Sequence, residues 1–272
     1  MAEMCVRRYF LAAAILAVVS SFAACSKTPT SPSASASGVA VGAITQTSVP
    51  APPRNSLTVP DAIGLTRYVA FGDSITYGSA SGFDPRFLFS ALPGAYPERV
   101  LAGLETYFEP HDFTMFNEGQ PGQLATAALD RFKIVLSEKR PQAVLLLMGF
   151  NDLNNHVSIA DTITGLKRML DAAENAGVAV LVATMYQTYE VTDPQGVFRW
   201  NAATEIQDFN VEVKKLPIGR RNVFVVDLYP LMTDPALVGG DGVHTTSQGN
   251  EVMASAFVDA IEAAFPVRGN AQ

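Results

Sequence analysis

The chain has 272 residues, with 19 Lys+Arg against 26 Asp+Glu, three His, two Cys and 48% hydrophobic residues. That length allows one large domain or two small ones, and a formal charge of -7 argues against a nucleic-acid binder, which carries a basic face. Both cysteines, Cys5 and Cys25, fall in the first tenth of the chain, which excludes a disulfide-stapled scaffold. The apolar content excludes wholesale disorder.

The start reads as a targeting segment. Arg7 and Arg8 precede an apolar run of 15 residues, Phe10 to Ala24. A bilayer span needs about 20 apolar residues, so the run suits a signal sequence better than a permanent helix. Phe22-Ala23-Ala24-Cys25 resembles the lipobox of bacterial lipoproteins, with Phe22 where Leu is usual. The resemblance implies cleavage before Cys25 and acylation of its thiol. The alternative is ordinary signal-peptidase cleavage after Ala23, with Ser21 and Ala23 as the small residues. Ser26 stands where Asp would act as an inner-membrane retention signal in Gram-negative lipoproteins, which favours the outer over the inner membrane for an anchored form; a soluble periplasmic or secreted form is the alternative. Residues 26–60 contain six Pro, seven Ser and five Thr but only two charges, Lys27 and Arg54. Such a stretch cannot bury a core and reads as a tether. The expected organisation is therefore a leader over 1–24, an acylated Cys25 and tether over 25–62, and a globular domain over 63–268.

From about Thr66 the chain alternates between two periods. Apolar runs at Tyr68–Phe71, Phe113–Phe116, Ala143–Met148, Val178–Met185 and Val223–Leu228 predict strands buried on both faces, hence a parallel sheet. Between them, Ile159, Ile163, Leu166, Leu170 and Ala173 mark an amphipathic helix that Gly177 closes. Val252, Ala256, Phe257, Ala260, Ile261 and Ala264 mark the last helix. This pattern predicts one doubly wound, three-layer α/β/α domain with a five-stranded parallel sheet in flavodoxin-like 2-1-3-4-5 order.

Polar clusters follow the strands. Gly72-Asp73-Ser74-Ile75-Thr76-Tyr77-Gly78 follows the first, Asn117-Glu118-Gly119-Gln120-Pro121-Gly122 the second and Gly149-Phe150-Asn151-Asp152 the third. Asp241-Gly242-Val243-His244 precedes the last helix. In an open α/β sheet, ligands bind beyond the carboxyl ends of the strands at the switch in strand order, here between the first and third strands. That placement brings Ser74 toward Asn151. A serine hydroxyl needs a base to become a nucleophile. Of His111, His156 and His244, only His244 has a carboxylate three residues earlier, in position to orient its ring. His111 reads as a surface residue and His156 as a solvated loop residue or a part of the cleft wall.

These four clusters, in this order, resemble the SGNH (GDSL) hydrolases, a family of esterases and acyl hydrolases, over about Arg67 to Phe265. GDSxTxG is matched from Gly72 to Gly78, GxND by Gly149–Asp152, and DxxH by Asp241 and His244. The resemblance implies Ser74 as nucleophile, His244 as base and Asp241 as its orienting carboxylate. It also implies an oxyanion hole made of the Ser74 N–H, the Gly122 N–H and the Asn151 side-chain amide. Glycine at 122 is expected because no Cβ would obstruct the approach of a carbonyl. Two positions depart from the family pattern. Thr245 stands where Pro is common, and Phe150 where a smaller residue is usual, which places a ring beside the oxyanion donor and at the substrate.

No cofactor or metal is expected. The His are too few and scattered for a metal site, and neither a GxxxxGK[ST] loop nor GxGxxG is present. The GxSxG elbow of α/β-hydrolases is absent too. Insertions after the nucleophile (Phe83, Phe87, Phe89) and after the fourth strand (Tyr189, Phe198, Trp200) offer aromatics that would wall an acyl or sugar site or simply pack their own loops. The expected activity is serine ester hydrolysis, on lipid or simple acyl esters or on O-acetyl groups of polysaccharide. A different class, a non-catalytic binding lipoprotein that retains the fold, stays open. The expected partners are a small-molecule or polysaccharide ester and, through the lipid, a membrane.

Overall fold

A computed structural model describes residues 63–79, 93–192, 199–200 and 205–266. The leader, Cys25 and the tether lie outside these residues, as do Phe83, Phe87, Phe89 and Phe198. In chain order the elements are β1 (Arg67–Gly72), α1 (Ser74–Tyr77), α2 (Tyr96–Tyr107), β2 (Thr114–Gly119), α3 (Leu129–Lys139), β3 (Ala143–Leu147), α4 (Phe150–Asn154), α5 (Ile159–Asn175), β4 (Ala179–Ala183), β5 (Val191–Thr192), β6 (Arg199–Trp200), α6 (Ile206–Val213), β7 (Val223–Val226) and α7 (Ser247–Ala264).

Five strands form one parallel sheet in the order β2-β1-β3-β4-β7, the arrangement expected from the sequence. Every residue of β3 and β4 is buried, which is why both read as unbroken apolar runs. Helices cover both faces: α2 packs on α7, and α3 and α6 pack on α5. Ring contacts tie the layers together, with Phe71 of β1 edge-on to Phe132 of α3 at 4.9 Å and Tyr96 of α2 stacked on Phe257 of α7 at 5.2 Å.

The termini of α5 show how local chemistry sets an element's length. The Ser158 hydroxyl accepts from Asp161 N and donates to its carboxylate, closing the N-terminus. At the other end Gly177 takes φ 69°, its N–H donates to Glu174 O, and Val178 N donates to Ala173 O. This is the paired bonding of a Schellman stop.

Several boundaries differ from the sequence reading. β2 begins one residue later and runs on to Gly119 through Asn117-Glu118, because its register with β1 continues to the Gly72–Gly119 pair. β4 ends at Ala183 and β7 at Val226, where Thr184 and Asp227 interrupt the apolar runs and bond to each other, Thr184 Oγ1 donating to Asp227 Oδ1 at 2.9 Å. The last helix starts five residues before Val252, where Thr246 caps it by accepting from Gly249 N.

Candidate active site

β1 delivers the first site residue. Asp73 leaves the strand, and its Oδ1 accepts from Ile75 N at 2.9 Å, which starts α1 with Ser74 as its first residue. The far wall comes from the turn before α7. There Asp241 Oδ1 accepts from Val243 N at 3.1 Å and His244 N at 3.0 Å, so the carboxylate shapes the loop that carries the histidine. Its Oδ2 lies 2.7 Å from His244 Nδ1, and His244 Nε2 lies 2.8 Å from Ser74 Oγ. Asp241 is 1% exposed and His244 4%, whereas Ser74 is half-buried. The result is a continuous hydrogen-bonded chain from a buried carboxylate through an imidazole to an accessible hydroxyl.

The segments that carry the three expected donors are tied to one another by hydrogen bonds. Gln120-Pro121-Gly122-Gln123 forms a turn with Gln123 N donating to Gln120 O at 3.1 Å and Gly122 at φ 76°, the pattern of a type II turn with Pro and Gly at its centre. A Cβ at Gly122 would meet nothing within 4 Å. The positive φ favours glycine there, a conformational reason that stands beside the expected open approach for a substrate carbonyl. Asn151, in the first turn of α4, donates from Nδ2 to Asp73 Oδ2 at 3.3 Å and to Gln123 O at 3.2 Å. The neighbours of Ser74 and of Gly122 are thus joined through the Asn151 amide.

Three supporting residues have no role in the sequence reading. Asp152 is fully buried and accepts from Ala125 N (2.7 Å), Thr126 N (3.1 Å) and Thr126 Oγ1 (2.9 Å), fastening the segment after Gly122 to α4. Arg131 of α3 stacks 3.8 Å from the Phe71 ring centroid and donates to Glu118 O, Gly72 O and Gln123 Oε1. Asp73 is also fully buried, and that burial pushes its carboxyl up to about 7. The Ile75 N–H and His244 hold it down in part, while Asp152 adds to the rise. A buried acid inside a polar motif is the available signal for Asp73 and Asp152; nothing in the sequence marks Arg131.

The remaining site expectations are placed as follows. Phe150 is 1% exposed with its ring 5.0 Å from Tyr186, so it packs in the core and presents no open face to a substrate. The reason is that Phe150 opens α4 directly after a buried strand. Trp200 pairs with Val191 in the two-stranded β5–β6 ribbon, and its side chain lies outside the described residues. The Tyr189 hydroxyl donates to Thr233 O. His111 and His156 are exposed. Thr245, at the position where Pro is common, is buried and donates to Asn250 Oδ1, which also accepts from Tyr96 N. A cavity of about 260 Å³ lies beside it, lined by Gly78, Ser79, Thr245, Thr246, Ser247 and Asn250 together with 93–95.

The profile of the GDSL-like lipase/acylhydrolase family matches residues 70–252. The chain belongs to this family. It is an ester-hydrolysing enzyme of the SGNH/GDSL class. Among solved structures it is similar to the lipase/acylhydrolase from Enterococcus faecalis, with 20% identity and a TM-score of 0.61 over 75% of this chain and 100% of that one. It is also similar to a variant of Axe2, an acetyl xylan esterase from Geobacillus stearothermophilus, with 19% identity and a TM-score of 0.58 over 78% of this chain and 100% of that one. LAE5, an α/β hydrolase enzyme from the metagenome of Lake Arreo, Spain, aligns at 20% identity with a TM-score of 0.58, over 75% of this chain and 97% of that one. No curated protein sequence matches the chain.

Proposed function

We propose that this enzyme hydrolyses carboxylic esters through Ser74, His244 and Asp241. The observation that carries the proposal is the unbroken 2.7 Å and 2.8 Å chain from Asp241 through His244 to Ser74. His244 Nε2 removes the Ser74 proton as Oγ attacks the ester carbonyl carbon. The carbonyl oxygen becomes an oxyanion, received by the Ser74 N–H, the Gly122 N–H and the Asn151 amide. Collapse of this intermediate breaks the bond to the alkoxy oxygen, which takes the proton from His244 and leaves as the alcohol. Water then attacks the acyl-Ser74 ester with His244 again as base, and the acid departs. Asp241 accepts from Nδ1–H throughout and stabilises the imidazolium.

The character of the alcohol follows from where the proton goes. His244 protonates the leaving oxygen, so the leaving group lies on the histidine side. A cavity adjoins Thr245, the residue after His244, and its Ser79 N donates to Ser74 O at 2.9 Å. Its described lining is hydroxyls, an amide, Gly, Ala and Pro, with no long aliphatic or aromatic side chain. Such a lining supports a hydroxylated leaving group, as in an O-acetylated sugar, over a long alkyl or glycerophospholipid one. A non-catalytic binding role would leave the aligned proton-transfer chain without a use.

An ester screen tests both levels: acyl esters of rising chain length, acetylated xylan and a lysophospholipid, each with wild type and Ser74→Ala. Activity lost on Ser74→Ala, and highest on the acetylated carbohydrate, is expected. Equal rates for the two proteins on every ester would sink the mechanism, and preference for the lysophospholipid would sink the sugar assignment alone.

The leader and the lipobox-like Phe22-Ala23-Ala24-Cys25 support a second proposal, that the enzyme is exported and anchored in a membrane by acyl chains on Cys25. Radiolabelled palmitate should enter the wild-type protein and not Cys25→Ala. Equal labelling would exclude this cysteine as the anchor.

A further inference from the structure

Asp73 lies next to the nucleophile, yet its carboxylate faces the oxyanion side. Its two oxygens are divided between two donors: Oδ1 takes Ile75 N at 2.9 Å and Oδ2 takes Asn151 Nδ2 at 3.3 Å. Asn151 Nδ2 also lies 3.2 Å from Gln123 O. A side-chain amide has two hydrogens on one nitrogen. With one held by Asp73, the other is the hydrogen that a developing oxyanion can claim from Gln123 O. Resting on the proposed role of Asn151 as an oxyanion donor, we propose that Asp73 is the positioning residue that fixes the plane of the Asn151 amide.

The residue type is required by this arrangement. Two donors arrive from different directions, and only a carboxyl group offers an acceptor oxygen to each. An asparagine at 73 has one oxygen, so it can cap α1 or hold Asn151 but not both. A serine can cap α1 but is too short to serve Asn151 as well. Burial matters for the same reason: at 0% exposure no solvent replaces a lost acceptor, and an amide free to rotate loses its aim. The other ionisable groups that bear on Asp73 are His244, Asp152, Arg131, Tyr96 and Tyr186, so a mere loss of charge acts on several parts of the site at once. The test must separate action through Asn151 from action through these.

A double-mutant cycle does so. Asp73→Asn and Asp73→Ser are each made in the wild-type chain and in Asn151→Ala, and kcat and KM are measured with 4-nitrophenyl acetate. In the wild-type background both are expected to lower kcat about 10–100-fold, the range for a misplaced catalytic group, with KM changed by less than about threefold. In the Asn151→Ala background the same substitutions should cost less than about threefold, since the amide they aim is gone. Asp73→Ser keeps the cap and answers the question should Asp73→Asn fail to fold. Equal losses in both backgrounds, or no loss in either, would overturn the inference. Wild-type kcat in Asn151→Ala alone would overturn the oxyanion assignment itself and this inference with it.

Discussion

His244 Nε2 sits 2.8 Å from Ser74 Oγ across 170 residues of chain. Neither residue holds the other in place. Ser74 is set by the Asp73 cap at the end of β1, and His244 by the Asp241 turn before α7. The sheet brings the two together. Because β1 lies next to β3 at the switch in strand order, the carboxyl end of the sheet also brings Asn151 to the Asp73 carboxylate and to the segment after Gly122.

Asp241→Asn should separate orientation from folding. The substituted side chain can still accept from Val243 N and His244 N, so the turn persists, but it no longer offers a carboxylate to Nδ1–H. A loss of about 10⁴ in kcat is expected, as for the corresponding change in other triads, with Tm nearly unchanged. Stopped-assay kinetics beside a thermal melt reads both. A drop in kcat of less than about tenfold would remove Asp241 from the mechanism.

Asp73 gives a pH signature in stability. Its folded value of about 7 stands above the ordinary 3.8, so between about pH 4 and 7 the folded state binds more protons than the unfolded chain. Stability from this group is therefore fully present at the acid end and is lost as pH rises to about 7. Its magnitude is on the order of 4 kcal/mol. The groups facing Asp73 that could blur the signal are His244, Asp152, Arg131, Tyr96 and Tyr186. Asp73→Asn leaves all five in place, so the difference in unfolding free energy between variant and wild type isolates the Asp73 titration. That difference should shift in favour of the variant from pH 4 to pH 7. Parallel curves would mean that Asp73 ionises in the folded protein as it does in water.

The sheet is legible in the sequence because β3 and β4 are buried on both faces, so apolar residues have nowhere else to go. β2 is only half legible. Its last residues, Asn117, Glu118 and Gly119, are polar or small and become strand through the ladder they share with β1, which is tertiary information. In the site, Ser74, Asp241 and His244 can be picked out because each sits at a fixed offset from a strand end or a helix start. Phe150 misleads as a pocket wall, since a ring at a site-adjacent position carries no mark of which way it faces. Arg131 is invisible: its partners are the carbonyls of Gly72 and Glu118 and a side chain at Gln123, none of which has a sequence pattern.

Asp152 should prove a structural fastener with a catalytic consequence. Asp152→Ala leaves the buried Ala125 N–H without its acceptor and frees Thr126. A buried donor left unsatisfied costs about 1–3 kcal/mol, so a loss of that size in denaturant unfolding is expected. The segment released begins three residues after Gly122, so kcat should fall with it. Wild-type stability would show that the 125–127 turn is held from elsewhere.

The two glycines of the site should respond differently to alanine, for reasons that can be separated by position. Gly122 and Gly242 both have positive φ, 76° and 79°. At Gly122 a Cβ finds open space, so Gly122→Ala bears only the conformational cost of about 1–2 kcal/mol. At Gly242 a Cβ would lie 2.2 Å from Tyr189 O, a backbone atom that cannot step aside without moving the strand-end loop. Tyr189 N donates back to Gly242 O at 2.9 Å, so any retreat also breaks that bond. Gly242 stands between Asp241 and His244, and the displacement passes directly into the turn that aims the imidazole. Gly242→Ala should therefore lose more stability than Gly122→Ala and also lower kcat steeply. Denaturant unfolding and kcat measured on both variants check the ranking, and equal stability losses would refute the steric account of Gly242.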